Sequence, residues 1–218
     1  MINLKKTNPN TQLFWDEKIR AQSTIAAGDY ITRDRIKYIA KKISSNIKVL
    51  DVGFGYGFLE QQLVNSKLII KLYGVDISEV AAKRLTHHLG RHFIVANANS
   101  IPFKGNTFDV ICLLEVLEHA FQKEKDLILK EIYRLLKSNG KLIVSVPLYD
   151  SVFENHPSGH VRMYSPEKLL LELSSMGFKV LQKKFLYAFS SFYSQKSFFC
   201  NFFKIKQPNN LIVVATKK

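Results

Sequence analysis

Asp51 ends an apolar run, Val49-Leu50-Asp51-Val52, and is followed by glycines at alternate positions, Gly53, Gly55 and Gly57. Asp76 ends a second run, Tyr73-Gly74-Val75-Asp76. Alternating glycines after a strand let the backbone turn tightly and approach a ligand, and an acid closing the next strand lies where a ribose would be held by both hydroxyls. The dinucleotide fingerprint needs its third glycine three residues after the second, and that position is Phe58. Asp51 also stands near the place a pyrophosphate would occupy, where a carboxylate repels phosphate and attracts a cation. A ligand with a ribose, no phosphate, an ammonium and a sulfonium answers this pattern. S-adenosylmethionine has those groups and NAD does not.

A second constellation follows. Glu115-Val116-Leu117-Glu118-His119 begins at the end of an apolar strand and runs into a loop or helix facing the ligand side of a sheet. A neutral His119 has an ordinary pKa suited to accepting a proton from a hydroxyl. The alternative is that Glu118 and His119 cap and orient the next helix. His156-Pro157-Ser158-Gly159-His160-Val161-Arg162 follows the strand 142–146 and should reach the same rim, with His160 approaching Glu115, Glu118 and His119. Two carboxylates and two imidazoles suit a divalent ion, which would orient and acidify a hydroxyl. A divalent metal is nevertheless the less favoured reading, and no metal ligand is assigned. Arg162 either binds an acidic group of the substrate or forms a surface ion pair.

The elements that must position these groups alternate regularly. Apolar periodicity predicts strands at 48–52, 70–76, 92–96, 109–114, 140–146, 178–186 and 210–216, with helices at 57–65, 78–89, 122–137 and 165–176. Such alternation makes a parallel sheet covered on both faces, with ligands at the carboxyl ends of the strands. Asp51, Asp76, Asn97 and Glu115 all fall at such ends. Gly105-Asn106 and Ser138-Asn139-Gly140 signal turns, and Ser165-Pro166 reads as a helix cap followed by proline in the first turn. Before the first strand, Ile31, Ile36, Ile39 and Ile43 recur at helical spacing, so residues 1–46 read as a helical entrance or lid and 47–218 as the core of a single domain. An aromatic stretch from Phe185 to Phe203, with Tyr187, Phe189, Phe192, Tyr193, Phe198, Phe199 and Phe202, either lines an apolar acceptor pocket or forms a core helix or dimer surface, the latter being preferred.

Taken in order, the glycine loop, Gly74-Val75-Asp76, Asn97-Ala98-Asn99-Ser100-Ile101-Pro102-Phe103, Phe108-Asp109, Glu115-Val116-Leu117-Glu118-His119 and Leu135-Leu136-Lys137-Ser138-Asn139-Gly140-Lys141 resemble the class I S-adenosylmethionine-dependent methyltransferases, in particular the small single-domain branch like the ubiquinone-biosynthesis O-methyltransferases. The resemblance runs from about Val49 to the C-terminus. It implies an α/β Rossmann-like three-layer sandwich whose seven-stranded sheet is mostly parallel with an antiparallel last strand. It implies that Gly53, Gly55 and Gly57 shape the methionine side, that Asp76 holds the ribose with Ile77 against adenine, and that Asn97 and Ala98 meet the adenine edge, with Asp51 and Glu115 completing the cofactor set. His119 and His160 are the candidate catalytic residues. The Glu-His cluster resembles that of metal-using O-methyltransferases of the ubiquinone and small-RNA 2′-hydroxyl types, although related enzymes keep it without metal. Phe54 and Tyr56 depart from the family pattern, where Cys and a small polar residue are frequent, and Asn97 replaces the usual Asp.

The expected reaction is methyl transfer to a small-molecule acceptor at a hydroxyl. An RNA-directed methyltransferase and a catalytically inactive S-adenosylmethionine-binding domain are the alternatives. The net charge of +14 attracts nucleic acid, but its lysines are scattered in pairs such as Lys41-Lys42 and Lys183-Lys184. A solvated surface is therefore expected rather than an RNA face. The strand ending at Glu115 carries neither a Pro-Pro-aromatic motif nor a Pro-Cys nucleophile, which argues against nucleobase methylation by those routes. No apolar run approaches the roughly 18 residues that span a bilayer, and the first residues lack a secretion signal. Cys112 and Cys200 have neither metal spacing nor an evident partner, as expected of free thiols in a reducing compartment. A cytoplasmic monomer or homodimer is expected.

Overall fold

The computed structural model describes residues 11–21, 30–89, 92–149, 158–187, 196, 200 and 207–217. Helices α1 (Gln12–Ala21) and α2 (Tyr30–Ala40) precede β1 (Ile47–Val52), α3 (Phe58–Asn65), β2 (Ile70–Asp76), α4 (Glu79–Leu89), β3 (Phe93–Val95) and β4 (Phe108–Leu114). A 3₁₀ turn over Leu117–His119 leads to α5 (Gln122–Leu135), β5 (Leu136–Pro147), α6 (Pro166–Ser175), β6 (Phe178–Leu186) and β7 (Asn210–Lys217). The strands form one seven-stranded sheet in the order β3-β2-β1-β4-β5-β7-β6. Strands β1 to β5 pair in parallel, and β7 runs antiparallel to both β5 and β6. This is the Rossmann-like architecture with an antiparallel last strand that the family resemblance implied.

Alternation along the strands builds the layers. Leu50, Val52, Ile111, Leu113, Leu142 and Val144 pack with Ile128, Leu129 and Ile132 of α5 and Leu169 and Leu173 of α6. The intervening Val49, Val110, Cys112 and Ile143 pack with Ile36 and Ile39 of α2 and Leu59 and Leu63 of α3. Strands apolar on both faces in this way are stable only when helices cover both. A smaller cluster joins Ile19 of α1 to Ala81, Ala82 and Leu85 of α4 through Phe54 and Phe93.

Two boundaries differ by more than one residue from the sequence expectation. Helix α5 ends at Leu135, because Leu136 is already extended (φ −74°, ψ 134°), is buried and pairs with Phe108. Ser138-Asn139-Gly140 is therefore a kink inside β5, with Asn139 at φ 61°, rather than a turn between elements. The Ser165 cap holds, its hydroxyl accepting the Lys168 N–H with Pro166 in the first turn. In the aromatic stretch, Phe185 packs on the core and Tyr187 is buried. Phe189, Phe192, Tyr193, Phe198, Phe199, Phe202 and Phe203 lie outside the described residues, as do His156 and Pro157.

Gly74 in β2 makes room for two aromatic rings of the core. A Cβ there would stand 2.5 Å from Phe93 Cδ1 and 2.6 Å from Phe54 Cδ1, inside contact distance of two rings that are themselves edge-to-face. Gly74→Ala should destabilise the fold by about 1–3 kcal/mol through overpacking, read as a lowered midpoint in urea unfolding.

Candidate active site

The carboxyl ends of β1, β2 and β4 open on a cavity of about 400 Å³, within the range that holds small ligands. Asp51, Gly53, Gly55, Asp76, Ile77, Asn97, Ala98 and Glu115 line it, together with Glu118, His119 and His160. Gly57 does not. It opens α3 at φ 76°, where a Cβ would strike the Leu85 side chain, so its place is in packing the loop. Gly53 serves the cavity directly: at φ 76°, its missing Cβ leaves room for Val116, whose Cγ2 would lie 2.5 Å away.

Asp76 organises the loop. One carboxylate oxygen accepts the Gly55 N–H at 2.8 Å and the other the Ser78 N–H at 2.8 Å. Burial raises its pKa against the pull of those two N–H donors. Each oxygen keeps a further lone pair, as a ribose diol requires. Asp51 is 2% exposed and its Oδ1 has no hydrogen-bond partner among the described residues. Burial, with Asp76 adding repulsion, pushes its pKa up to about 7. Behind it lies Glu60 of α3, a fully buried acid that sequence reading missed because a glutamate in a helix's first turn is ordinary.

Glu115 sits at φ 55°, and its carboxylate is held by Arg35 at 3.0 Å, the Ser145 hydroxyl at 2.7 Å and the Asn210 amide at 3.0 Å. It therefore stands apart from the histidines. The cluster that does form is Glu118, His119 and His160, with one ligand-type atom from each lying within 4.8 Å of the others. Those three could hold a divalent ion; the expected fourth ligand, Glu115, is not among them. The His119 Nδ1 lies 3.1 Å from the Gly159 carbonyl, which can only accept, so Nδ1 carries the hydrogen and Nε2 keeps its lone pair. Burial lowers the His119 pKa to about 3, with His160 adding to the effect, so the ring is a much weaker base than its ordinary value suggested. Neither Glu118 nor His119 caps the next helix; Glu124 does, accepting the Phe121 N–H at 2.9 Å. Arg162 is also structural. It bonds to Glu172 and to Gln122 and does not line the cavity.

The roof comes from the N-terminal helices. Trp15, Lys18 and Ile19 of α1 and Thr32, Arg35 and Ile36 of α2 line the cavity. The Trp15 ring meets His119 edge-on at 4.7 Å, and Lys18 Nζ donates to the Ser158 carbonyl at 2.7 Å. Asp16 secures α1, accepting the Ser78 hydroxyl at 2.6 Å and the Val80 N–H at 3.1 Å. The departures at 54 and 56 have a physical reason here: Phe54 packs with Ile19, and Tyr56 donates to the Lys18 carbonyl at 3.3 Å. Asn97 is exposed and its Oδ1 accepts the Asn99 N–H at 3.1 Å.

Comparisons with known proteins agree with this geometry. A family described as "Methyltransferase domain" matches residues 50–144. An uncharacterized protein of Methanocaldococcus jannaschii is 30% identical over 167 residues, 76% of this chain and 70% of that protein. A ubiquinone/menaquinone biosynthesis C-methyltransferase of Rhizobium rhizogenes is 32% identical over 123 residues, covering 49% of this chain and 46% of that protein. The chain thus spans about half the length of the latter relative. The fold is also that of the 1,6-didemethyltoxoflavin-N1-methyltransferase of Burkholderia thailandensis, solved with its substrate and S-adenosylhomocysteine, at a TM-score of 0.70 and 16% identity over 93% of this chain and 84% of that one. The chain belongs to the class I S-adenosylmethionine-dependent methyltransferases. Its cofactor is S-adenosylmethionine. No helix among the described residues is long and apolar enough to cross a membrane.

The buried imidazole makes stability depend on pH. In the unfolded chain His119 ionises near 6.5, but in the fold only near 3. Between these values the unfolded state binds the extra proton, so the His119 contribution to stability falls as the pH is lowered, by roughly 1 kcal/mol per pH unit. Because the raised carboxyls of Asp51 and Glu60 act in the opposite sense, the effect is read as a difference: from pH 7 to pH 5 in urea unfolding, the parent should lose stability relative to His119→Gln.

Proposed function

We propose that the enzyme transfers the methyl group of S-adenosylmethionine to a hydroxyl of a small-molecule acceptor bound beneath α1 and α2. The observation that carries this reading is the His119 ring, which is buried in the cavity wall with Nδ1–H held by Gly159 and the Nε2 lone pair left to accept a proton. Displacement at the sulfonium methyl carbon needs alignment and dryness more than a nucleophilic residue. The enclosed roof of Trp15, Lys18, Thr32 and Arg35 suits a small acceptor.

In this reading Asp51 receives the cofactor's ammonium, Asp76 the ribose hydroxyls, and Ile77, Asn97 and Ala98 the adenine. Gly53 and Gly55 bring the backbone to the methionine side. The acceptor's proton leaves through His119 to His160, whose ring centre lies 4.9 Å away toward the rim. A weak base at His119 fits a relay that holds the proton only briefly. The relatives named as a C-methyltransferase and an N1-methyltransferase favour a second reading, in which the methylated atom is a carbon or nitrogen and the same histidines remove its proton.

Two measurements test the assignment. Asp76→Ala should weaken S-adenosylhomocysteine binding about 10- to 100-fold by calorimetry, the range for loss of charge-assisted hydrogen bonds. With methyl-labelled cofactor and a panel of phenolic, enolic and amine acceptors, product NMR distinguishes oxygen, carbon and nitrogen methylation. On the accepted substrate, His119→Gln should lower kcat about 100-fold or more with cofactor affinity unchanged; an unchanged kcat removes His119 as base.

A further inference from the structure

We propose that Glu60 is a positioning residue for the cofactor's α-ammonium: it stays protonated behind the end of β1 and donates its acid hydrogen to Asp51, holding Asp51 as the carboxylate that receives the cation. This rests on the assignment of Asp51 to the methionine end. Glu60 is fully buried and neither of its carboxyl oxygens has a hydrogen-bond donor among the described residues; the polar side chain that acts on it most strongly is that of Asp51, itself buried. Two carboxylates in contact and out of water cannot both be ionised, so the contact requires a proton between them. The groups facing the pair sharpen this. Asp76 from β2 adds negative charge, and Cys112 from β4 is a buried thiol whose pKa is raised in turn. The cations on the same cavity wall are committed elsewhere, Arg35 to Glu115 at 3.0 Å and Lys18 to the Ser158 carbonyl at 2.7 Å. What remains for a cation is the Asp51 carboxyl group, in the wall of the cavity, whose Oδ1 is buried with no hydrogen-bond partner among the described residues.

The proton tends to stay on Glu60. Burial and the neighbouring Asp51 push the Glu60 pKa well above its ordinary value, whereas Asp51, steadied by the Glu60 hydrogen bond, reaches only about 7. An ammonium at Asp51 favours its ionised form. Below pH 7, therefore, S-adenosylhomocysteine binding releases a proton from Asp51, and affinity falls as the pH is lowered, approaching tenfold per pH unit. Above pH 7 the dependence disappears.

Calorimetry of S-adenosylhomocysteine binding from pH 5.5 to 8, in buffers of differing ionisation enthalpy, reads both affinity and proton release. 5′-Methylthioadenosine, which lacks the amino-acid moiety, serves as the control. The parent protein should release close to one proton at pH 5.5 and none at pH 8, and the control ligand none at either. Glu60→Gln keeps a donor to Asp51 and should retain the profile within about half a pH unit, whereas Glu60→Leu loses the donor and should move the midpoint upward with weaker binding at pH 7. Asp51→Asn, nearly isosteric, should bind with no pH dependence, and it decides the matter should the leucine variant fail to fold. A flat profile in the parent, or equal losses in the glutamine and leucine variants, overturns the role given to Glu60. Binding of neither ligand overturns the cofactor site with it, while pH-independent binding of both defeats the Glu60–Asp51 arrangement alone.

Discussion

The carboxylate of Asp76 joins three parts of the protein that the chain alone would leave independent. Its two oxygens take the Gly55 N–H of the glycine loop and the Ser78 N–H at the start of α4. Ser78 passes the connection on, donating its hydroxyl to Asp16 of α1, which also accepts the Val80 N–H. Loop, helix and roof are thus set by one buried acid, and the residue proposed to hold the ribose also determines where the acceptor's cover sits. An interaction of this kind makes binding and closure parts of one network. Ligand at Asp76 and the position of α1 are linked through two hydrogen bonds.

The charges around the cavity follow the same economy. Acids are concentrated at the strand ends, Asp51, Asp76, Glu115 and Glu118, but they are not equivalent. Glu115 is saturated by Arg35, Ser145 and Asn210 and so helps brace α2 and β7 against β4. Glu118 belongs with the two histidines. Asp51 is buried, with one oxygen lacking a hydrogen-bond partner among the described residues, and it lines the cavity. A cavity in which one acid braces its neighbours and another stays unneutralised disfavours phosphate without a strongly negative surface, even in so basic a chain.

Much of the architecture was legible from local pattern. Buried parallel strands read as apolar runs, and the acids closing β1 and β2 mark the ligand edge because topology places strand ends together. The early start of β5 was not legible, since Leu136 leaves the helix for a partner, Phe108, that is distant in sequence. Nor were Trp15, Asp16, Thr32 and Arg35, whose roles depend on where α1 and α2 dock. His119 shows a different limit. Its type and position were readable, but its basicity was not, because the depressed pKa comes from burial, a property of the packed molecule. Glu60 combines both difficulties, an unremarkable helix residue whose chemistry arises only when α3 presses it against Asp51.

Phe54 and Tyr56 show how a departure from a family pattern can be read physically. Both occupy a loop whose backbone conformation is dictated by the glycines around them, with positive φ at Gly53, Gly55 and Gly57, so their side chains are free to serve other ends. Phe54 faces inward, packing on Phe93 and Ile19, and Tyr56 reaches the Lys18 carbonyl. Large aromatic groups at these positions extend the cofactor loop into a platform for α1. One side of the cavity is then made by the sheet and its loop and the other by helices resting on that platform, so the two sides can vary with different constraints. Changes in α1 and α2 would alter what fits under the roof while leaving the strand-end acids in place.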